Sequence, residues 1–489
     1  MKKIKYLIIG IIVLLSSGGC DEAFLETKHP GTLTYDKFYQ TENDFQIALN
    51  ACYLSLKGQV QNLIAFNDLI SDNCFLNSLN STFDTYQFDA VTISSNSSTI
   101  SNFWWACYRS VALSNLVITR IENSSVSENS RKVFVAEAKF IRAYSYFNLV
   151  RIFGGVPKYE KEVEDMNLVY SVSRSSANEI YDFIINDLKA AKEVDSYRTA
   201  SQLAMSKGKA SELSAKTLLG KVYLQMHDYA NAATELGNII SNKPAGLDLE
   251  EDLTKLYDAD NPFNKEIILA INYERVSGQN SPFTYSTLPK FSKEILPNVT
   301  SSDNGDGSNN IEPVIYSKFS DNDKRKALIG SYDVLGSAGG TYYYTKKYLD
   351  LKTTQAGLSA ADFIILRYAD VLLMYADALN NTGKTAEAYT YIQMIRDRAG
   401  LPSLPNGYSK EQMNDALAQE RQFEFILEGD RWFDLSYRGF SYLKQTLNNF
   451  YPNSAYVKTA VINDHEILFP LPFNQVKAKP GVLDQNEGY

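Results

Sequence analysis

Residues 365–400 read ILRYADVLLMYADALNNTGKTAEAYTYIQMIRDRAG, and their periodicity decides the fold class. Ile365, Ala369, Leu372, Ala376 and Leu379 recur at intervals of three and four, which lines one face of an α-helix. Ala388, Ile392 and Ile395 form a second stripe that stops at Gly400 and Pro402, a helix-ending pair. A short turn joins the two stripes, so the segment is a pair of helices.

The same arrangement lies upstream. Ala215, Leu219, Val222 and Met226 form one stripe; Ala232, Leu236 and Ile239 form the next, after a turn at Asp228-Tyr229. Leu219-Gly220, Tyr223, Ala232, Leu236 and Pro244 fit the spacing of the 34-residue tetratricopeptide repeat, whose small residues let two helices approach closely. Phe134, Ala138, Ile141, Ser145 and Leu149 mark another helix, stopped by Gly154-Gly155 and Pro157. Such pairs cannot bury their apolar faces alone, so a mainly α scaffold of stacked pairs is predicted. Residues 66–103, 241–361 and 441–475 show no sustained period and read as long irregular loops. Within them Ile267–Ile271 and Tyr342–Tyr344 read as short strands. Loops of this length, held on rigid helices, are where function is expected.

The amino terminus, MKKIKYLIIGIIVLLSSGGC, places Lys2, Lys3 and Lys5 before an apolar run from Tyr6 to Leu15 and a small-residue approach, Ser16 to Gly19, before Cys20. The run is about ten residues, half of what a membrane-spanning helix needs, so residues 1–19 read as an export signal. Ser17 stands where bacterial lipoproteins usually carry Leu, yet a cysteine at the cut site reads as a lipidation site. Acyl chains on Cys20, each CH2 contributing about 0.8 kcal/mol, would hold the mature chain to a bilayer.

Losing the three signal lysines takes the formal charge from -9 to -12, which disfavours nucleic acid and anionic membrane surfaces as partners. Cys52, Cys74 and Cys107 are odd in number and lack paired spacing, indicating neither a disulfide framework nor a zinc site. The chain carries 33 Tyr against 3 Trp. Tyrosine combines an apolar face with a hydroxyl, a combination suited to sugars.

The 365–400 stretch, AEAKFIRAYSYFNLVRIFGGVP at 136–157, WWACYRSVALSN at 104–115, ERQFEFILEGDRWFDLSYRG at 420–439 and LFPLPFNQVKAKPGVLDQNEGY at 468–489 together resemble the SusD/RagB family. The resemblance implies a SusD-like fold: tetratricopeptide-like helix pairs as scaffold, long irregular loops and a few short strands. It implies one domain over 20–489, with an N-terminal part at about 20–240 and a C-terminal part at about 265–489. It further implies a lipid-anchored protein of the outer membrane that binds glycans or other nutrients. Its partner would be a SusC-like, TonB-dependent transporter, and it would not be an enzyme.

Candidate ligand residues lie in the irregular stretches. Asp72, Asn73, Phe75, Asn77, Phe83 and Tyr86 mix aromatic faces with short polar groups, as do Tyr285, Arg325, Tyr332, Tyr342, Tyr343 and Tyr344. A sugar packs its CH face on a ring while its hydroxyls exchange hydrogen bonds with Asp, Asn and Arg. Glu420, Glu424 and Glu428 fall on one helical stripe. Read as a hydrolase they would supply an acid and a base; read structurally they are ion-paired by Arg421 and Arg431, which the resemblance supports. Trp104 and Trp432 fall in scaffold motifs and read as packing; Trp105 is open.

No cofactor is indicated. Asp303 to Asn310 suggests a calcium loop, but aligning Gly307 with the loop glycine puts Ser302 and Pro313 where Asp and Glu are required, so Ca2+ has no EF-hand support. His29, His227 and His465 are too scattered for a metal cluster. Two rival readings remain: a peptide- or protein-binding tetratricopeptide adaptor, with its surface on the helices, and a secreted glycoside hydrolase.

Overall fold

The computed structural model of the chain describes residues 38–76, 83–198, 208–290, 294–299, 305–334, 340–454 and 461–489. Its main helices are α1 (Glu42–Ser55), α2 (Ser98–Arg120), α3 (Glu128–Phe153), α4 (Ala177–Ala191), α5 (Glu212–Gln225) and α6 (Tyr229–Ser241). After a long insertion come α7 (Tyr368–Asn381), α8 (Thr385–Arg398), α9 (Lys410–Phe425), the short α10 (Arg431–Ser436) and α11 (Phe440–Phe450). The strands are β1 (Cys74–Phe75), β2 (Ile267–Ile271), β3 (Asn310–Ile311), β4 (Ile329–Val334), β5 (Gly340–Thr345) and β6 (Phe363–Arg367).

Polar caps set where the helices begin. Thr41, Ser176, Ser211 and Ser409 each start a helix with a reciprocal capping box, and Ser97, Ser127 and Asp228 each accept a first-turn N–H. α3 stops where its sequence says it should, at Gly154 with φ 72°. From α2 to α8 each helix packs on the next in the chain, the stacked-pair scaffold expected from the repeats. The α5–α6 approach is close: a Cβ at Gly220 would lie 2.6 Å from Leu236.

Three local expectations change. Ile365 belongs to β6, not to the helix: β6 pairs antiparallel with β2, Ile271 opposite Phe363 and Ile267 opposite Arg367, and α7 begins only at Tyr368. The run Phe363–Leu366 is apolar at every position, so its period fitted either form. Residues 441–475 are not irregular throughout, because Leu443, Leu447 and Phe450 are the buried stripe of α11. Residues 66–103 likewise hold a helical turn at Ala65–Leu69, a helix at Phe83–Asp89 and the start of α2.

The main core joins both ends of the chain. Phe66 meets Phe103, Phe88 and Phe469 with ring centroids 4.8, 5.1 and 5.6 Å away. Trp104 packs on Tyr108 and Phe153, and Trp432 on Phe469, so both serve packing as expected. Trp105 is 56% exposed. Cys52, Cys74 and Cys107 are buried. Among the described residues no helix is long and apolar enough to cross a membrane.

Candidate functional site

The acidic stretch after α9 is where a hydrolase would place its acid and base. α9 ends at Phe425, so Glu420 and Glu424 share a helix while Glu428 sits in the following turn, correcting the single stripe. That turn holds Leu427 at φ 60° and Gly429 at φ 76°. A left-handed leucine is strained, and a Cβ at Gly429 would stand 2.8 Å from the Leu63 Cβ. Asp68 holds the turn by accepting the Leu427 N–H at 3.0 Å and the Gly429 N–H at 2.7 Å.

The glutamates are ion-paired, but not by the arginines the sequence suggested. Glu424 accepts from Arg367 Nη1 at 2.6 Å and from Arg398, which also bonds Glu266. Glu428 accepts from Lys347 Nζ at 2.6 Å, the Tyr257 hydroxyl at 2.7 Å and Arg367. Glu420 binds Arg325 at 2.7 Å and Arg396 at 3.0 Å. Arg421 instead serves Asp370 and Asp434, and Arg431 grips Asp72 through two bonds of 2.8 Å.

This network is a poor place for acid–base chemistry. A general acid needs a proton near neutral pH. Burial would raise the Glu424 carboxyl, but Arg398, Arg367 and Arg325 outweigh it and hold it well below the usual range. Glu428 is likewise held down, its burial outweighed by Arg367 and Lys347. Burial does push Asp68 up to about 7, yet it is sealed from solvent beneath the turn it supports.

Members of the two ligand clusters read from sequence, Phe75 of the first and Tyr332 and Tyr342–Tyr344 of the second, meet in one antiparallel sheet of order β1-β3-β5-β4. Phe75 pairs with Asn310, and Tyr332 with Tyr342. Phe75 sets its edge on the Tyr342 ring at 5.3 Å, Tyr332 meets Tyr342 at 5.6 Å, and the Tyr332 hydroxyl donates to Asn310 Oδ1 at 2.8 Å. These residues share one face. On the other, Tyr343 stacks on Tyr316 at 3.8 Å.

Convergence comes at the cost of access. Phe75, Tyr342 and Tyr344 are buried by the sheet and its covering segment. Asp72 is taken by Arg431, and Asn73 donates to Asp68 at 2.6 Å while accepting from Gln422. Arg325 is enclosed by Asp323 and Glu420. All six are buried, and the polar groups of Asp72, Asn73 and Arg325 are engaged inside the protein. Asn77, Cys20 and Asp303 lie outside the described residues.

Two of the candidates are exposed, and Tyr332 and Tyr343 are half-buried. Tyr86 is 39% exposed and Tyr285 36%; Tyr343 is half-buried under Tyr316. Both exposed tyrosines border the sheet. Asp89, on the helix of Tyr86, accepts the Leu76 N–H just past β1, and the Tyr285 carbonyl accepts the Asp306 N–H just before β3 at 2.9 Å. Around Tyr285 the 305–310 turn is fixed by its own bonds, Ser308 donating to Asp306 and Asn310 to the Gly307 carbonyl. Among the described residues no group of three or more His, Cys, Asp or Glu could hold a metal ion. Sequence reasoning missed Asp68, whose only signal is the Asn67-Asp68 pair set in an otherwise apolar run.

Comparison with known proteins places this architecture. A family model described as the SusD family matches residues 315–489, and one described as "Starch-binding associating with outer membrane" matches 23–224. SusD-like protein P2 of Formosa agariphila is 28% identical, covering 99% of this chain and 100% of that protein. A SusD superfamily protein of Bacteroides vulgatus has the same fold, with a TM-score of 0.77 at 23% identity over 92% of this chain and 100% of the other. A structure described as a laminarin-binding SusD-like protein superposes with a TM-score of 0.75 at 25% identity, again over 92% and 100%. Both the sequence motifs and the helix-and-sheet architecture are thus accounted for together, and the chain belongs to the SusD family.

Proposed function

We propose that the chain is a non-enzymatic glycan-binding lipoprotein of the cell surface, acylated at Cys20, that captures oligosaccharide and delivers it to a SusC-like, TonB-dependent transporter of the outer membrane. The observation that carries the binding role is the likeness, over 92% of this chain, to a structure described as laminarin-binding. The commitment of the acidic network to ion pairs supports the absence of hydrolysis, and residues 1–20 support the anchor. Delivery to a transporter rests on the family resemblance.

The exposed rim of the four-stranded sheet, with Tyr86 and Tyr285, is the proposed binding surface. A shallow platform with few stacking contacts gives modest affinity, which suits a protein that must release its cargo. Each ring is expected to contribute about 1 kcal/mol, so Tyr86→Ala or Tyr285→Ala should weaken retention by a polysaccharide gel roughly fivefold with an unchanged melting temperature. Replacing Tyr342 to Tyr344 together is the wrong test, because two of the three are core. Retention unaffected by either exposed substitution would move the site elsewhere, and release of reducing ends from the bound polysaccharide would refute a purely binding role. Incorporation of labelled palmitate, abolished by Cys20→Ala, tests the anchor.

A further inference from the structure

The segments that build and border the Phe75–Tyr332 face of the sheet have a marked imbalance of charge. Among the described residues of 76–98, 281–312 and 329–345 the only cation is Lys290, against Asp84, Asp89, Glu294, Asp306, Glu312 and Asp333. Some of these acids have internal partners: Asp84 accepts from Ser98 and Thr99, Asp89 from the Leu76 N–H, and Glu312 from Ser454. Glu294 and Asp333 are exposed and Asp306 is partly so. Arg325, the guanidinium that the sequence offered for this face, is 3% exposed and enclosed by Asp323 and Glu420. Lys347, just past β5, is equally buried against Glu428.

Recognition of a carboxylate or sulfate ester draws on Arg or Lys, because an anion stripped of water without a cationic partner is costly to bind. Apart from Lys290, Asp84, Glu294, Asp306 and Asp333, the polar side chains at the surface here are hydroxyls, amides and phenols, among them the exposed Tyr86, Tyr285 and Thr341 and the half-buried Ser286, Ser308 and Asn309. These exchange hydrogen bonds with sugar hydroxyls without regard to charge. The chain's net negative charge adds a long-range repulsion toward polyanions. Building on the glycan-binding reading, we infer that the ligand is an uncharged saccharide, and that uronic-acid-rich or sulfated polymers are excluded by the acidic rim.

The test is affinity electrophoresis of the full chain through gels holding neutral glucans, xylans, mannans and galactans, each paired with its own sulfated derivative, and through alginate and polygalacturonate. At least one neutral polymer retards the protein, its sulfated form retards it at least tenfold less at low salt, and the gap narrows at high salt. Asp333→Lys narrows the gap at low salt as well; a gap unchanged by that substitution overturns the assignment of the exclusion to this face. Equal or stronger retardation by any sulfated or uronate polymer overturns the inference while leaving glycan binding intact. Retardation by none of the polymers removes the glycan-binding reading itself, and the inference with it.

Discussion

Glu424 shows how one side chain is made indispensable by its neighbours. Its carboxylate is buried among Arg398, Arg367 and Arg325, and removing one member of such a group leaves uncompensated charge in the interior, typically at a cost of about 3–5 kcal/mol. Glu424→Gln keeps the shape and deletes the charge, so a loss of that order is expected in denaturant unfolding. Its pH dependence is diagnostic. The folded carboxyl lies well below its ordinary 4.5, so its contribution is complete above about pH 4.5 and disappears as pH falls through the folded value. The gap between parent and variant should therefore be constant from pH 8 to 5 and close in acid. Asp68 and Asp362 act oppositely: burial raises them from 3.8 to about 7 and about 6, so their contribution is lost as pH rises through those values. They are present in both proteins, so the difference isolates Glu424. Arg431→Met, which strips Asp72 of its bidentate partner, should likewise lower stability without altering glycan retention by the folded fraction.

At the scale of elements, the α5–α6 pair was legible because its signal is geometric. Small residues at fixed spacing announce a close approach, and Gly220 lies where a Cβ would press into Leu236 at 2.6 Å. Gly220→Ala should gain about 1 kcal/mol of helix propensity but lose more to overpacking, typically about 1–3 kcal/mol. In a Leu236→Ala background the clash is gone and the same substitution should become stabilising. A double-mutant cycle by thermal unfolding reads that reversal of sign; additive effects would mean the helices are not in van der Waals register there. The start of α7 was less legible. Phe363, Ile364, Ile365 and Leu366 form an unbroken apolar run, and only the partner strand β2, about 95 residues earlier, decides that it is extended. The burial of several candidate ligand residues was not legible for a related reason. Asp72 reads as a ligand group because its partner Arg431 lies 359 residues on, and Asn73 and Arg325, although partnered locally by Asp68 and Asp323, are closed off only by the distant Gln422 and Glu420.

The whole molecule is held together by those long-range pairings. Asp72 and Arg431 are separated by 359 residues, as are Asp68 and Leu427, and the Tyr451 hydroxyl donates to the Ile70 carbonyl across 381. Phe66 packs on Phe469, and Arg174 donates to Asn486 at the closing QNEGY segment. The two family-matched regions, 23–224 and 315–489, therefore divide the sequence without dividing the core. A fragment ending near residue 240 would expose the carboxylates of Asp68 and Asp72 and the apolar surface around Phe66 without the groups that cover them. Lost ion pairs and hydrogen bonds and lost apolar burial act in the same direction, so such a fragment should show no cooperative thermal transition, although α2 to α6 would retain helical circular dichroism. The full chain should melt in one transition, with hydrogen exchange at Leu427 and Gly429 protected to the same free energy as the amides of α3. Two separated transitions, or a fragment that melts as sharply as the parent, would show that the N-terminal helices are a unit of their own and that the Asp68 and Asp72 contacts only dock it.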